Sequence, residues 1–300
     1  MPLDPQTAST VTAVDIGGTH VSSALVARGQ EVRQERRDPL DADAAAEVIL
    51  DRIADCAREH SRRSERVALA IPGPFDYARG HGDFKGVAKF AQLSGVDMRG
   101  GLAARWDRDP ASVRFVNDAE AFGLGEWAAG AGARVDRCVA ITLGTGIGSA
   151  FVDRGRCLSS GPEVPPDGNL HLAEVDGSPV EDLVSRRALR QAYRERTGRL
   201  ADVAEIAACA RTGDRDAIAT LETGMDALGR ALAPWLQRFG AERLVIGGSM
   251  AASEDLLLPT LRRRLAASLG GEEQVPHVAR GVLPTEQASM IGAVLGTSEA

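Results

Sequence analysis

The sequence predicts a mixed α/β chain with room for two domains, and three observations bear on that prediction. Short apolar runs that suit buried strands alternate with longer amphipathic stretches that suit helices. The chain has 300 residues, enough for two domains of ordinary size. Two segments also share one design: AVDIGGTHVSSALV (13–26) and AITLGTGIGSAFV (140–152) each join two apolar strands through a Gly/Thr turn. Two unrelated buried hairpins would look alike too. A true repeat means two half-structures that open on the same turn.

Composition narrows the function classes. Hydrophobic residues make up 44% and charged residues 26%, which is a globular balance and not a disordered one. The net charge is −7 and no basic run stands out, which argues against a nucleic-acid partner. Cys56, Cys138, Cys157 and Cys209 lie far apart, forming neither a zinc pattern nor a secreted disulfide framework. MPLDPQTAST has no leader-like pattern and no apolar run is long enough for a bilayer. The expectation is a soluble, cytoplasmic protein without a membrane partner.

The elements follow in order. VTAVDI and VSSALVA read as strands around Gly17 and Gly18, and EVRQERR as an edge strand. Residues 41–60 read as a helix with Ile49, Ile53 and Cys56 on one face. RVALAIPGPFDY is a buried strand ending in a Pro-Gly-Pro break, and VRFVNDAEAFGLGEWAAG a strand running into a helix. RCVAITLGTGIGSAFVDRGRCL is two strands around a glycine turn, then a hairpin turn at Asp153, Arg154 and Gly155. SSGPEVPPDGNLHLAEVDGSP is a long loop of the kind that often serves function. Helices are expected at about 181–195, 201–211 and 214–239, a buried strand in RLVIGGSM, and a closing helix in EQASMIGAVLGTS.

The two glycine turns invite a chemical reading. Glycine lets a ligand approach the backbone, and clustered N–H donors with a threonine hydroxyl suit phosphate oxygens. Gly17, Gly18 and Thr19, and Thr142, Gly144, Thr145 and Gly146, are the candidate phosphate residues; plain hairpin turns are the rival reading. Asp15 ends the first strand beside the first turn. A carboxylate next to phosphates needs a cation between them, and Mg2+ fits that role. Neither turn matches the P-loop spacing, and GTGIGS leads into a strand and not a helix, which weakens a dinucleotide reading. Gly247 and Gly248 close another strand, either as a flat-ring contact or as an ordinary turn.

Asn117 and Asp118 stand at a strand end just before a helix, where a helix cap competes with a catalytic role. In the catalytic reading Asp118 accepts the proton of an acceptor hydroxyl, as a kinase base does, and Asn117 bonds a neighbouring hydroxyl.

VDIGGTH, AIPGPFDYARG, FVNDAEAFGLGE, ITLGTGIGSAFV and LVIGGSM, in this order and spacing, resemble the ROK family (repressors, open reading frames and kinases) over about residues 11–297. The resemblance implies the two-domain actin/hexokinase-like (ribonuclease H-like) fold with a cleft between domains, and ATP-dependent sugar phosphorylation. It implies a small domain over 1–117, completed by a helix at about 286–300, and a large domain over 118–285. It makes the Asp15 and Gly144 turns the two phosphate motifs, places Gly247 and Gly248 in the adenosine motif, makes Asp118 the base, and puts Asn117 and Gly73 on the acceptor side. A homodimer is the family-level assembly.

Two departures bear on the acceptor. The family's zinc motif, a histidine followed by three cysteines, is reduced here to HLAEVDGSPVEDLVS, with Ser178 and Pro179 near the cysteine positions, so no zinc site is expected. Glu181 matches the sugar-binding glutamate, and His171 keeps only a sugar-contact role, against a loop histidine as the rival reading. Asp167 stands in for a family glutamate, beside Gly168 at the matching position. The stretch HGDFKGVAKFAQLSGVDMRGGL (81–102), with both lysines, Phe84, Phe90 and Asp97, replaces a segment typical of glucose kinases and looks like a loop over the acceptor. It resembles members acting on aminosugars or cyclitols in natural-product pathways. A glucose or mannose kinase is the alternative. A regulator is disfavoured because only about ten residues precede the first strand, too few for a helix-turn-helix. A non-catalytic sugar-binding protein is disfavoured by the presence of Asp15, Asn117, Asp118 and both turns.

Overall fold

The computed structural model describes residues 10–27, 30–87 and 89–298, so the expected domain ends at 1–9 and 299–300 lie outside the described residues. The chain divides into two compact units, one running to Ala129 and resuming at Glu286, the other Gly130–Thr285.

The first unit begins with β1 (Thr10–Ile16), β2 (His20–Ala27) and β3 (Val32–Pro39). Then come α1 (Ala46–Ser61), β4 (Val67–Ile71), the short pair β5 (Phe75–Asp76) and β6 (His81–Gly82), α2 (Met98–Arg105), β7 (Val113–Asn117) and α3 (Asp118–Ala129). Its sheet runs β3-β2-β1-β4-β7, antiparallel through the first three strands and parallel through the last three. The inner strands are apolar on both faces: Ala13, Val14, Leu69 and Ile71 are all fully buried. β3 is the exposed edge, and its charged sequence VRQERRDP discourages pairing with another chain.

The second unit opens with β8 (Arg137–Leu143), β9 (Ile147–Asp153) and β10 (Arg156–Cys157). After the ribbon β11 (Glu174–Val175) and β12 (Ser178–Pro179) come α4 (Glu181–Val184), α5 (Arg186–Thr197), α6 (Val203–Arg211) and α7 (Arg215–Phe239). β13 (Arg243–Gly247), α8 (Glu254–Leu269), β14 (His277–Arg280) and α9 (Thr285–Gly296) complete the chain. This sheet runs β10-β9-β8-β13-β14, with the same change from antiparallel to parallel pairing. The repeat seen in sequence is therefore a repeat of topology. Among the described residues no helix is long and apolar enough to cross a membrane.

Several expected elements shift, each for a local reason. The helix expected from residue 41 begins at Ala46, because the Asp41 carboxylate accepts the Asp43 N–H (3.0 Å) and holds a turn. The helix expected over 181–195 is two, broken at Ser185 (φ −60°, ψ 159°), whose hydroxyl caps α5 by accepting the Ala188 N–H at 3.3 Å. The long loop is pinned to β9 by Ser149, which donates to the Gly168 carbonyl (2.6 Å) and accepts from the Leu170 N–H (3.0 Å). Helix α8 has no counterpart in the sequence reading; Pro259 after the leucine run 256–258 looks like a break there, yet the helix continues through it.

The division between units falls after α3 and not before it. The reason is a close crossing of α3 with α9. A Cβ on Gly292 would lie 1.7 Å from the Ala121 carbonyl oxygen, and one on Gly125 1.9 Å from that of Ala288. Only a residue with no side chain lets these backbones touch. Gly292→Ala and Gly125→Ala are therefore each expected to destabilise the protein by about 1–3 kcal/mol, read as a lower urea midpoint. An unchanged midpoint would show that the helices can separate freely.

Candidate active site

In the first unit the apolar strand β1 carries one acid near its end. Asp15 lies between Ser22 on β2 and Ala70 on β4. Burial pushes its carboxyl up to about 8, helped by the negative charges of Asp118 and Glu286 and opposed by a hydrogen bond with Ser289 and by Arg37. Beyond it the chain reverses through Gly17, Gly18 and Thr19, and the Gly17 N–H donates to the His20 carbonyl at 2.9 Å.

His20 organises the turn. Arg37 Nη2 lies 2.9 Å from His20 Nε2, and a guanidinium can only donate, so Nε2 accepts. Nδ1 then carries the proton and donates to Thr19 Oγ1 at 2.8 Å. The Thr19 hydroxyl keeps its own hydrogen to offer to a ligand. Arg37 also pairs with Glu286 at 2.9 Å. Lys89 lies over the turn: a Cβ on Gly18 would meet its Nζ at 2.8 Å.

Asn117 ends β7 and does cap α3, accepting the N–H groups of Ala119 (2.9 Å) and Glu120 (3.1 Å) through Oδ1. The rival reading from sequence is thus correct for its oxygen, while its Nδ2 donates to Tyr77 Oη at 2.9 Å. Gly73 adjoins this pair; a Cβ there would lie 3.3 Å from Tyr77 Oη and 3.9 Å from Asn117 Nδ2. Asp118 is half-buried on the first turn of α3. Burial raises its pKa, while the Ala119 N–H, accepted at 2.9 Å, and the Lys89 charge oppose the rise. Glu120 is raised by burial and then by Asp118.

The loop at 81–102 divides its labour differently from the sequence expectation. Phe84 and Phe90 are core residues, 1% and 0% exposed, and Asp97 caps α2 by accepting the Gly100 N–H at 2.9 Å. Lys89 is the residue of that stretch that faces the Gly18 turn.

In the second unit Thr142 stands at the end of β8, paired with Gly148 and Gly247. Gly144 N–H donates to the Gly146 carbonyl at 3.1 Å, and Thr145 at the tip is exposed. Glu181 grips this turn: its Oε2 accepts the Ile147 N–H at 3.0 Å and would lie 2.6 Å from a Cβ on Gly146. One carboxylate oxygen thus belongs to the turn. Gly248 has φ +81°, and a Cβ there would lie 2.4 Å from the Leu143 carbonyl oxygen. Its close approach is to the end of β8, so it also serves the fold.

His171 is half-buried on the short turn Leu170–Leu172. Asp167, at φ 54°, lines an open groove of about 780 Å³ with Trp235 and Arg238, whose lining includes neither His171 nor Glu181. Among the described residues no group of three or more His, Cys, Asp and Glu is arranged to hold a metal ion.

The structure thus gathers Asp15, Gly17, Gly18, Thr19, Gly73, Asn117 and Asp118 in the first unit, and Thr142, Gly144, Thr145, Gly146 and Glu181 in the second. It adds His20, Arg37, Tyr77, Glu120, Glu286 and Ser289, which the sequence reading did not single out for the site, and brings Lys89 of the expected acceptor loop to the Gly18 turn. Tyr77 and His20 sit inside the quoted motifs and Lys89 inside the divergent loop. Arg37, Glu286 and Ser289 carry no local signal.

Residues 11–298 match the model of the ROK family. The chain is 32% identical to a glucokinase of Thermotoga maritima over 276 residues, which is 84% of this chain and 86% of the relative. It is 26% identical to an N-acetyl-D-glucosamine kinase of Escherichia coli, over 89% of this chain and 92% of the relative. The crystal structure of a ROK hexokinase from Thermus thermophilus superposes with a TM-score of 0.79 at 26% identity, over 96% of this chain and 97% of that one. The chain belongs to the ROK family and has its actin/hexokinase-like fold.

The raised pKa of Asp15 sets a pH dependence. Between about 4 and about 8 the folded chain keeps a proton that the unfolded chain has released, so rising pH weakens the fold through that window. Asp15→Asn removes this loss. Its unfolding temperature should exceed the parent's by at least about 2 °C at pH 9, with the gap narrowing toward pH 5. A gap that does not change with pH would contradict the burial argument.

Proposed function

We propose that this member of the ROK family, a carbohydrate kinase, transfers the γ-phosphoryl group of ATP to a primary hydroxyl, at the 6- or 7-position, of a hexose-like ring. The observation that carries the reading is the pair of desolvated carboxylates, Asp15 and Asp118, in the unit that also holds the Gly17–Thr19 turn.

The roles follow from the chemistry. Asp118 takes the proton of the acceptor hydroxyl as its oxygen bonds to the γ-phosphorus. The bond from that phosphorus to the bridging oxygen breaks, and ADP leaves with the electron pair. A raised pKa suits this base, because it holds the proton better than an ordinary aspartate would. Asn117 Nδ2, Tyr77 and the bare backbone of Gly73 form the acceptor side of the first unit. Thr19, Thr145 and the two glycine turns hold phosphates, Gly247 and Gly248 serve the adenosine, and the Glu181 oxygen not used by the turn serves the acceptor with His171.

Asp15 is the residue that would hold Mg2+, directly or through water. The fit rests on the repulsion of Asp15 by Asp118 and by Glu286, which a cation relieves. Such a metal screens the phosphate charges and the charge that develops on transfer.

For the acceptor we propose an aminosugar or C7-cyclitol of natural-product biosynthesis. The support is the 81–102 stretch, which departs from the segment typical of glucose kinases. The glucokinase relative favours the second reading, a glucose or mannose kinase of central metabolism. Phosphate transfer from Mg-ATP and from polyphosphate to glucose, mannose, amino- and N-acetylaminosugars and C7-cyclitols, with product position by NMR, separates them. Preference for an aminosugar or cyclitol supports the first reading, and preference for glucose or mannose replaces it.

Asp118→Asn is expected to lower kcat by about 10²- to 10⁴-fold while leaving nucleotide affinity near the parent's by calorimetry. Near-normal turnover would remove Asp118 from the mechanism.

A further inference from the structure

We propose that Lys89 is a catalytic residue of the same reaction: its ammonium group, held over the Gly18 turn, binds the oxyanion of the phosphoryl group in transit. The inference rests on the kinase reading above, and three observations on the page lead to it.

The first is position. A Cβ on Gly18 would lie 2.8 Å from Lys89 Cδ, 2.9 Å from Cε and 2.8 Å from Nζ. The lysine therefore lies along the backbone of the phosphate turn, and only glycine at position 18 leaves it that path.

The second is charge. Asp118 and Glu286 both repel Asp15, and all three acids repel an incoming phosphate. Lys89 lies close enough to Asp118 to oppose that repulsion. Of the 35 Lys and Arg residues only Lys85 and Lys89 are lysine. An ammonium is a compact point charge that fits against a bare glycine, where a guanidinium fork is wider.

The third is how Lys89 is held. Its neighbour Phe90 adopts φ 61° and ψ 20°, a left-handed conformation that is strained for a bulky residue. Phe90 keeps it because its ring is fully buried, 5.5 Å from the ring of Phe84, and its N–H donates to the Ala42 carbonyl at 3.1 Å. The core thus anchors the residue next to the lysine, the kind of preorganisation an oxyanion site needs.

Lys89 forms no covalent bond in the transfer. The test compares Lys89→Met, Lys89→Cys and Asp118→Asn with the parent under Mg-ATP and the best acceptor. Lys89→Met should lower kcat about 10²-fold, with the acceptor KM changed less than about threefold. Lys89→Cys should fall similarly and regain at least about tenfold on alkylation with 2-bromoethylamine, which rebuilds an ammonium at that site; the parent treated alike should not gain. A Lys89→Met kcat within about twofold of the parent's overturns the proposal. So does a Lys89→Cys variant with the parent's unfolding midpoint that alkylation does not rescue. Near-parent turnover in Asp118→Asn would instead remove Asp118 as the base, and no phosphate transfer by the parent to any acceptor would overturn the underlying kinase reading, so the failures are told apart.

Discussion

Desolvated negative charge is the constraint on which the first unit's architecture turns. Asp15 sits near the end of β1, half-buried between β2 and β4, and desolvation moves its carboxyl to about 8. A carboxylate there opposes folding unless something answers its charge. Arg37 reaches in from the edge strand and Ser289 from the closing helix, so elements far apart in sequence exist in part to tolerate one side chain. Proteins keep such a cost where the site needs it.

The second unit uses the same strand–turn–strand frame with the opposite logic. Its turn carries no buried acid of its own. Instead the Glu181 carboxylate comes from outside and accepts a turn N–H at 3.0 Å. The two sheets share order and strand polarity, yet one turn is built against an acid below it and the other is held by an acid beside it. Division of labour between like frames follows from side chains alone.

Local chemistry was legible in the residues. Alternating apolar runs marked the inner strands, glycines marked both turns, and Asp118 at a strand-to-helix junction marked the proposed base. Less legible was anything decided by competition. Asn117 could cap or bind, and it divides its amide between the two tasks. Ser185 could continue a helix or start one, and it starts one. Gly248 could admit a ligand or close a strand, and its packing against the end of β8, where a Cβ would meet the Leu143 backbone, shows at least the second task.

By itself the sequence determined the main strands around both turns, most of the helices that follow them, the repeated turn and the residue types at each strand end, because these depend on neighbours within a few positions. Tertiary structure alone decided which charges face one another. Lys89 reaches Gly18, Arg37 reaches Glu286 and Ser289 reaches Asp15 across tens to hundreds of residues. Those meetings depend on sheet register and on the glycine crossing of α3 with α9, where backbones touch. No local periodicity encodes them, because electrostatic contact is set by distance in space and not along the chain.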